Sequence, residues 1–209
     1  MDDFNMKSLT MSNYGWASFL LDKITPNIIS GYNSILKESI SICEKNKESE
    51  KYLMTFQNLI SRIPKWNQTI VENERKRILL NTQCPNLEDN IACFHIIQLK
   101  QLTAMRVGTK QKKIDINIPK IDDFIHRVYI NTARKIYQNV YLFERKIAPL
   151  QIQKNNRELE NIVNDAVLYT IRENIPYDDI LKAYLEETIE EDVSEKITKE
   201  IVDVPVSQK

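Results

Sequence analysis

Glycine is nearly missing from this chain. Three occur in 209 residues, Gly15, Gly31 and Gly108, where average usage is about 7%. Phosphate-cradling loops, nucleophile elbows and tight catalytic turns need glycine for positive φ or close backbone approach. None of those motifs is present, so nucleotide-binding and hydrolase readings lose their footing. An excess of one charge is missing too: 29 basic residues face 29 acidic ones. That balance argues against a general nucleic-acid or acidic-lipid binder. It also means that solubility cannot rest on self-repulsion, which suits a protein that lives in an assembly. Long apolar runs are absent. The longest candidate, Trp16 to Leu21, covers one and a half helical turns, far short of the ~20 residues that span a bilayer. Three cysteines, Cys43, Cys84 and Cys93, have no C-x-x-C spacing. With no signal peptide expected, they read as reduced thiols of a cytosolic compartment. Cys84, Cys93 and His95 could supply metal ligands, but their spacing fits no known finger. No metal or cofactor is expected.

What is present is helical periodicity. Tyr14 to Ile24 reads as a short apolar helix, and Thr25-Pro26 as the start of a second that runs to about Lys47. Gly31 sits inside that pattern at a cost of about 1 kcal/mol relative to alanine. Ser49 to Ile63 forms a third helix, ended by Pro64, and Asn67 starts a fourth. Cys84-Pro85-Asn86 is a break, and Leu87 to Val107 is the fifth helix, with His95 packed beside its apolar stripe. Gly108 to Lys113 is a basic hinge, joined by Lys100 and Arg106 upstream.

The segment from Ile114 to Pro149 is the strongest in the chain. Ile114, Ile116 and Ile118 alternate over six residues, the pattern of a strand. A lone strand has no sheet to join, so it runs as an extended connector or pairs with another molecule by edge addition. After Pro119, Ile121, Phe124, Ile125, Val128, Thr132, Ile136, Val140 and Phe143 recur at threes and fours. Asp122 or Asp123 is expected to cap this helix. Asp122, Asp123 and His126 share a side and could act as acid and base. The simpler reading is a capped helix start, because no nucleophile or oxyanion donor accompanies them. The back of the helix is basic, with Arg127, Arg134, Lys135, Arg145 and Lys146, and Tyr129, Tyr137 and Tyr141 lie among them. Tyrosines interleaved with arginines suit a protein interface about as well as nucleic-acid stacking, and the balanced total charge favours protein. After Pro149 comes a polar stretch, then a seventh helix from Leu159 to Ile171 and a short last one from Pro176. An acidic run, Glu186 to Asp192, leads into a tail that is expected to order only on a partner.

Three blocks stand out as strings: LMTFQNLISRIPKWN at Leu53–Asn67, the segment Ile114–Phe143, and IPYDDILKAYLEETIEEDV at Ile175–Val193. Together they resemble a protein family shared by large nucleocytoplasmic DNA viruses of the mimivirus and algal-virus group. The likeness covers most of residues 14–193. It implies a virus-encoded protein made in the host cytoplasm and packaged in or on the capsid; the blocks are not catalytic signatures.

The expectation is therefore a single all-α domain of seven to eight helices, residues 14–188, with one short extended segment. Residues 1–13 form a flexible arm and residues 189–209 a mixed-charge tail. The expected function is that of a minor capsid protein, not an enzyme, bridging or cementing major capsid subunits of an icosahedral virion. Its partners would be the major capsid protein, other minor capsid proteins and copies of itself, with no small-molecule substrate and no membrane span. The expected interface residues are Ile114, Ile116, Ile118, Arg127, Tyr129, Arg134, Tyr137 and Tyr141. An accessory factor binding nucleic acid through Lys100–Lys113 and Arg127–Lys146 is the alternative, and an enzyme using Asp122, Asp123 and His126 a third class.

Overall fold

A computed structural model describes residues 6–103 and 118–182. Among them there are six long α-helices and no strand: α1 (Met6–Lys45), α2 (Tyr52–Ile60), α3 (Gln68–Thr82), α4 (Leu87–Thr103), α5 (Ile121–Gln138) and α6 (Pro149–Glu173). Short 3-10 turns precede α2, follow it at Ile63–Lys65, and extend α5 at Val140–Phe143. The all-α class is as the sequence indicates. The chain divides into two compact units, residues 1–106 with 116–175, and residues 107–115 with 176–209. The first unit ends at Ile175, and the expected boundary at 188 lies outside the described residues. Of the second unit, residues 176–182 are described, and 177–182 are helical.

The first unit is organised around α1, which packs against α2, α3, α4 and α6. Leu20, Ile24, Ile28 and Tyr32 recur every four residues along α1 and are all buried to within 1%. They meet Phe56 and Ile60 of α2, Ile78 of α3, Phe94 of α4, Phe124 and Val128 of α5, and Val163 and Val167 of α6 in one core. Each such side chain contributes about 1.5–3 kcal/mol on burial.

Three local differences from the sequence reading have physical causes. Residues 6–13, expected as an arm, belong to α1. Asn13 is held by α4, donating to Gln101 Oε1 at 2.7 Å and accepting from Gln98 Nε2. Helix α1 also runs straight through Pro26, where a helix start was expected. An interior proline removes one i→i−4 hydrogen bond and strains the preceding turn. Here Ile24, Thr25, Asn27 and Ile28 around it are buried while Pro26 itself faces outward, so packing on both sides holds the helix together. The Thr25 hydroxyl donates to Asn164 Oδ1 of α6 at 2.6 Å, and Asn27 Nδ2 donates to the Lys23 carbonyl at 2.9 Å. Finally, α6 begins at Pro149 and absorbs the polar stretch that was expected to precede it. Pro149 stands in the first turn, where its missing N–H costs nothing.

The punctuation was otherwise legible. The Asn67 side chain caps α3, accepting from the Ile70 N–H at 2.9 Å. Helix α3 ends at Gln83, which adopts φ 50° in the left-handed region before Pro85.

Candidate docking surface and the polar core behind it

Helix α5 has two sides with different chemistry. Its inner arc buries Phe124, Ile125, Val128, Tyr129, Thr132, Ala133 and Ile136. Tyr129 is wholly buried, and this corrects its placement at the interface. Its ring lies between Tyr32 and Trp66, with centroids 5.5 and 5.0 Å away. Its hydroxyl donates to Glu74 Oε2 at 3.1 Å. Arg77 binds the same carboxylate through Nε at 2.9 Å and Nη2 at 2.8 Å, and Nη2 also reaches the Asn27 carbonyl at 2.8 Å. The Tyr32 hydroxyl donates to the Tyr129 carbonyl at 2.7 Å.

The network is closed sterically by Gly31. A Cβ on Gly31 would stand 2.0 Å from the Tyr129 hydroxyl and 2.9 Å from its ring carbon Cζ. The helix-interior glycine therefore exists to let Tyr129 reach past α1 to Glu74. Burial, together with the neighbouring Glu74 carboxylate, pushes the Tyr129 phenol well above its usual range. Burial, and then Tyr129, does the same for Tyr32. Burial works against the Arg77 charge, but hydrogen bonding to Glu74 and the Tyr129 contact hold its pKa above the ordinary value. Both phenols therefore stay neutral, and the network is a structural lock with one satisfied ion pair inside it.

The possible acid–base group does not assemble. The Asp122 carboxylate lies 2.7 Å from Arg75 Nε, in an ion contact whose direction misses hydrogen-bond alignment. His126 Nε2 bonds the Ile63 carbonyl at 2.9 Å, and its ring stacks on Trp66 at 6.1 Å with planes 8° apart. Neither aspartate caps the helix. Lys120 is the N-cap and makes no side-chain bond, while Asp122 and Asp123 favour the first turn through the dipole. Among the described residues, no group of three or more His, Cys, Asp or Glu is placed to hold a metal. Likewise no described helix is long and apolar enough to cross a membrane. His95 is 3% exposed, sits edge-on to Phe124, and leaves Nε2 without a partner. Burial lowers its pKa to about 4.

The outer side of α5 carries Arg127, Ile130, Arg134 and Tyr137 at spacings of three, four and three, so they form one stripe. Tyr137 is 49% exposed. An open groove of about 300 Å³ runs beside the stripe, lined by Ile60 and Pro64 on one wall and Ile130, Ala133, Arg134 and Tyr137 on the other. Its charge comes from Arg134, whose guanidinium makes, among the described residues, one long contact of 3.5 Å to Asn131 Oδ1. Arg127 stands 3.9 Å from Glu173 of α6.

Residues 6–144, which carry α1 to α5, the polar lock and this groove, match the model of DUF5764, a family of unknown function. The chain belongs to that family. No curated protein and no solved structure matches the chain. Within the family's matched span, the expected interface residues divide. Arg134 and Tyr137 come together at the groove, with Arg127 on the same stripe. Tyr141 is 51% exposed but lies beyond α5 in the 3-10 turn, where its carbonyl accepts from Asn155. Ile118 is half-buried, and Ile114 and Ile116 lie outside the described residues. Ile60, Pro64, Ile130 and Ala133 went unnoticed, because a groove between two elements leaves no mark in one helix's periodicity. Glu74 and Arg77 stand in a run of mostly charged residues, Glu72 to Arg77, that carries no mark of their contact with Tyr129. The signal that could have found them was Gly31, a glycine inside a helical pattern.

Proposed function

We propose that this protein is a minor capsid component of a large icosahedral DNA virus, made in the host cytoplasm and built into the virion. It would bridge or cement major capsid subunits, with other minor capsid proteins as neighbours. The viral assignment rests on the three sequence blocks at 53–67, 114–143 and 175–193. The observation that carries the binding role is the outward stripe of α5 beside its apolar groove. Arginine and tyrosine anchors around a desolvated pocket are the composition of protein-binding hot spots. The Tyr129–Glu74–Arg77 lock fixes α5 to α3 and, through Tyr32 and the Asn27 carbonyl, to α1, so the stripe is presented on a rigid base.

Charge placement favours a protein over a nucleic acid. Lys135 stands 3.6 Å from Asp165 and Lys146 3.2 Å from Glu50, as Arg127 does near Glu173. Those carboxylates cancel the field that would steer a phosphate backbone.

Quantitative mass spectrometry of purified virions tests the proposal. The protein should appear in fixed ratio to the major capsid protein across preparations. Its absence from virions sinks the capsid reading. Binding to DNA or RNA that weakens steeply with salt would instead establish the accessory-factor alternative.

A further inference from the structure

Both walls of the groove beside α5 lack acid. From Tyr52 to Val71, which includes α2 and the turn at Ile63–Lys65, there is no aspartate or glutamate. From Phe124 to Phe143 there is again none, although the chain carries 29 acidic residues in 209. The same stretches keep their bases: Arg62 and Lys65 on the turn, and Arg127, Arg134 and Lys135 on α5. Helix α6 lends carboxylates to two of these, Glu173 at 3.9 Å from Arg127 and Asp165 at 3.6 Å from Lys135. Among the described residues, Arg62, Lys65 and Arg134 have no ion pair, and all three are exposed. Arg134 is the one that lines the groove. The walls are tied to each other: Gln57 Nε2 donates to the Tyr137 carbonyl at 3.0 Å, and His126 Nε2 bonds the Ile63 carbonyl at 2.9 Å. A groove tied in this way keeps its shape when empty.

We infer that the groove takes an acidic, apolar segment of a partner protein. An apolar side chain of that segment lies against Ile60, Pro64 and Ile130, and a neighbouring carboxylate meets the Arg134 guanidinium. Charge complementarity selects this occupant. An arginine whose fork of donors is largely unused, beside apolar walls, matches a carboxylate next to an apolar side chain. Walls without acid set no like charge against it. A nucleic acid would need a track of cations, and the next base along the stripe, Arg127, already faces Glu173. At about 300 Å³ the groove is at the small end of binding pockets, enough for the side chains of a linear segment. This inference rests on the reading of the α5 stripe as a protein-binding surface, and not on the virion assignment.

A random peptide library displayed on phage, selected against the immobilised full chain, lets the groove report its ligand. The wild type should enrich peptides in which aspartate or glutamate adjoins a large apolar residue. Parallel selection on Arg134→Glu should lose them. By fluorescence anisotropy, the best synthetic peptide should bind Arg134→Gln about tenfold more weakly, as should its own glutamate-to-glutamine version bind the wild type. Arg134 is exposed, so helix content and thermal midpoint of both variants should hold. Selection without acidic enrichment overturns the inference, as do acidic peptides that bind Arg134→Gln as well as the wild type. So does an oligothymidylate that binds the wild type more tightly than any recovered peptide and loses that binding in Arg134→Gln; it assigns the groove to nucleic acid. Absence of the protein from virions would remove the capsid reading and leave each of these outcomes standing.

Discussion

Tyr129 and Tyr137 sit on the same helix, eight residues apart, and have opposite fates. Tyr129 is wholly buried, with its hydroxyl on the half-buried Glu74 carboxylate; Tyr137 is half exposed at the rim of a groove. Eight residues at 3.6 per turn is two turns plus about 80°, enough to carry a side chain from the inner arc to the outer one. The inner side of α5 is closed and intolerant of change, its Tyr129 hydroxyl held by Glu74. The outer side has spare apolar surface and an arginine with little to hold it. One helix thus serves as the anchor of the fold and as its proposed contact with other proteins.

The sharpest way to break this contrast is at Gly31. Helix propensity alone says that Gly31→Ala should stabilise by about 1 kcal/mol. The clash with Tyr129 reverses the sign, and we expect a loss of about 2–4 kcal/mol by chemical denaturation, since a core cannot absorb an added methyl without shifting. Adding Tyr129→Phe removes the closest atom and should recover part of the loss. A neutral Gly31→Ala would mean that the inner side is not locked. Next in size is Glu74→Ala, which strands the Arg77 guanidinium and the Tyr129 hydroxyl together. Glu74 and Arg77 are each about a quarter exposed, so solvent softens the effect to about 2 kcal/mol.

A pH titration probes the inner side without touching the lock. The buried His95 has its pKa lowered to about 4, below the ordinary histidine value of about 6.5. The unfolded chain therefore binds the proton first. The contribution of His95 is fully present above about pH 6.5 and is lost as pH falls toward 4. Between pH 7 and 5 the urea midpoint should fall by the equivalent of about 1–2 kcal/mol, and His95→Leu should flatten that slope relative to the wild type. An unchanged slope would show that His95 keeps its ordinary affinity for protons. The smallest effects belong to the outer side. Arg134→Ala and Tyr137→Ala should each move stability by less than about 0.5 kcal/mol, yet both should reduce incorporation into virions. A large destabilisation by either would mean that the stripe belongs to the core.

Much of the helix map was readable because prolines and asparagines punctuate it: Pro64 and Asn67 around the start of α3, Pro85 after its end and Pro119 before α5. The apolar stripe of α5 was readable for the same reason that any amphipathic helix is. What failed was local signal overruled by packing. Pro26 looks like a start, but the buried residues around it carry α1 across. The first turns of α6 show no period, because the buried position there is Asn155, a polar residue satisfied by Gln151 and the Tyr141 carbonyl. Tyr129 was read by its chemistry and not by its angle. The groove needed two elements brought together, which no single stretch of sequence displays.

The central position of α1 also has a consequence for synthesis. The helix leaves the ribosome before α6, yet its apolar stripe meets partners there, and Thr25 bonds Asn164, 139 residues later. The unit cannot close until nearly all of its chain has emerged. Such long sequence separations slow folding and keep apolar surface exposed while translation proceeds. Chains cut before Pro149 should therefore be aggregation-prone and protease-sensitive, with α1 among the first segments to be digested. Until α6 emerges, the apolar stripe of α1 lacks partners that bury it in the folded unit.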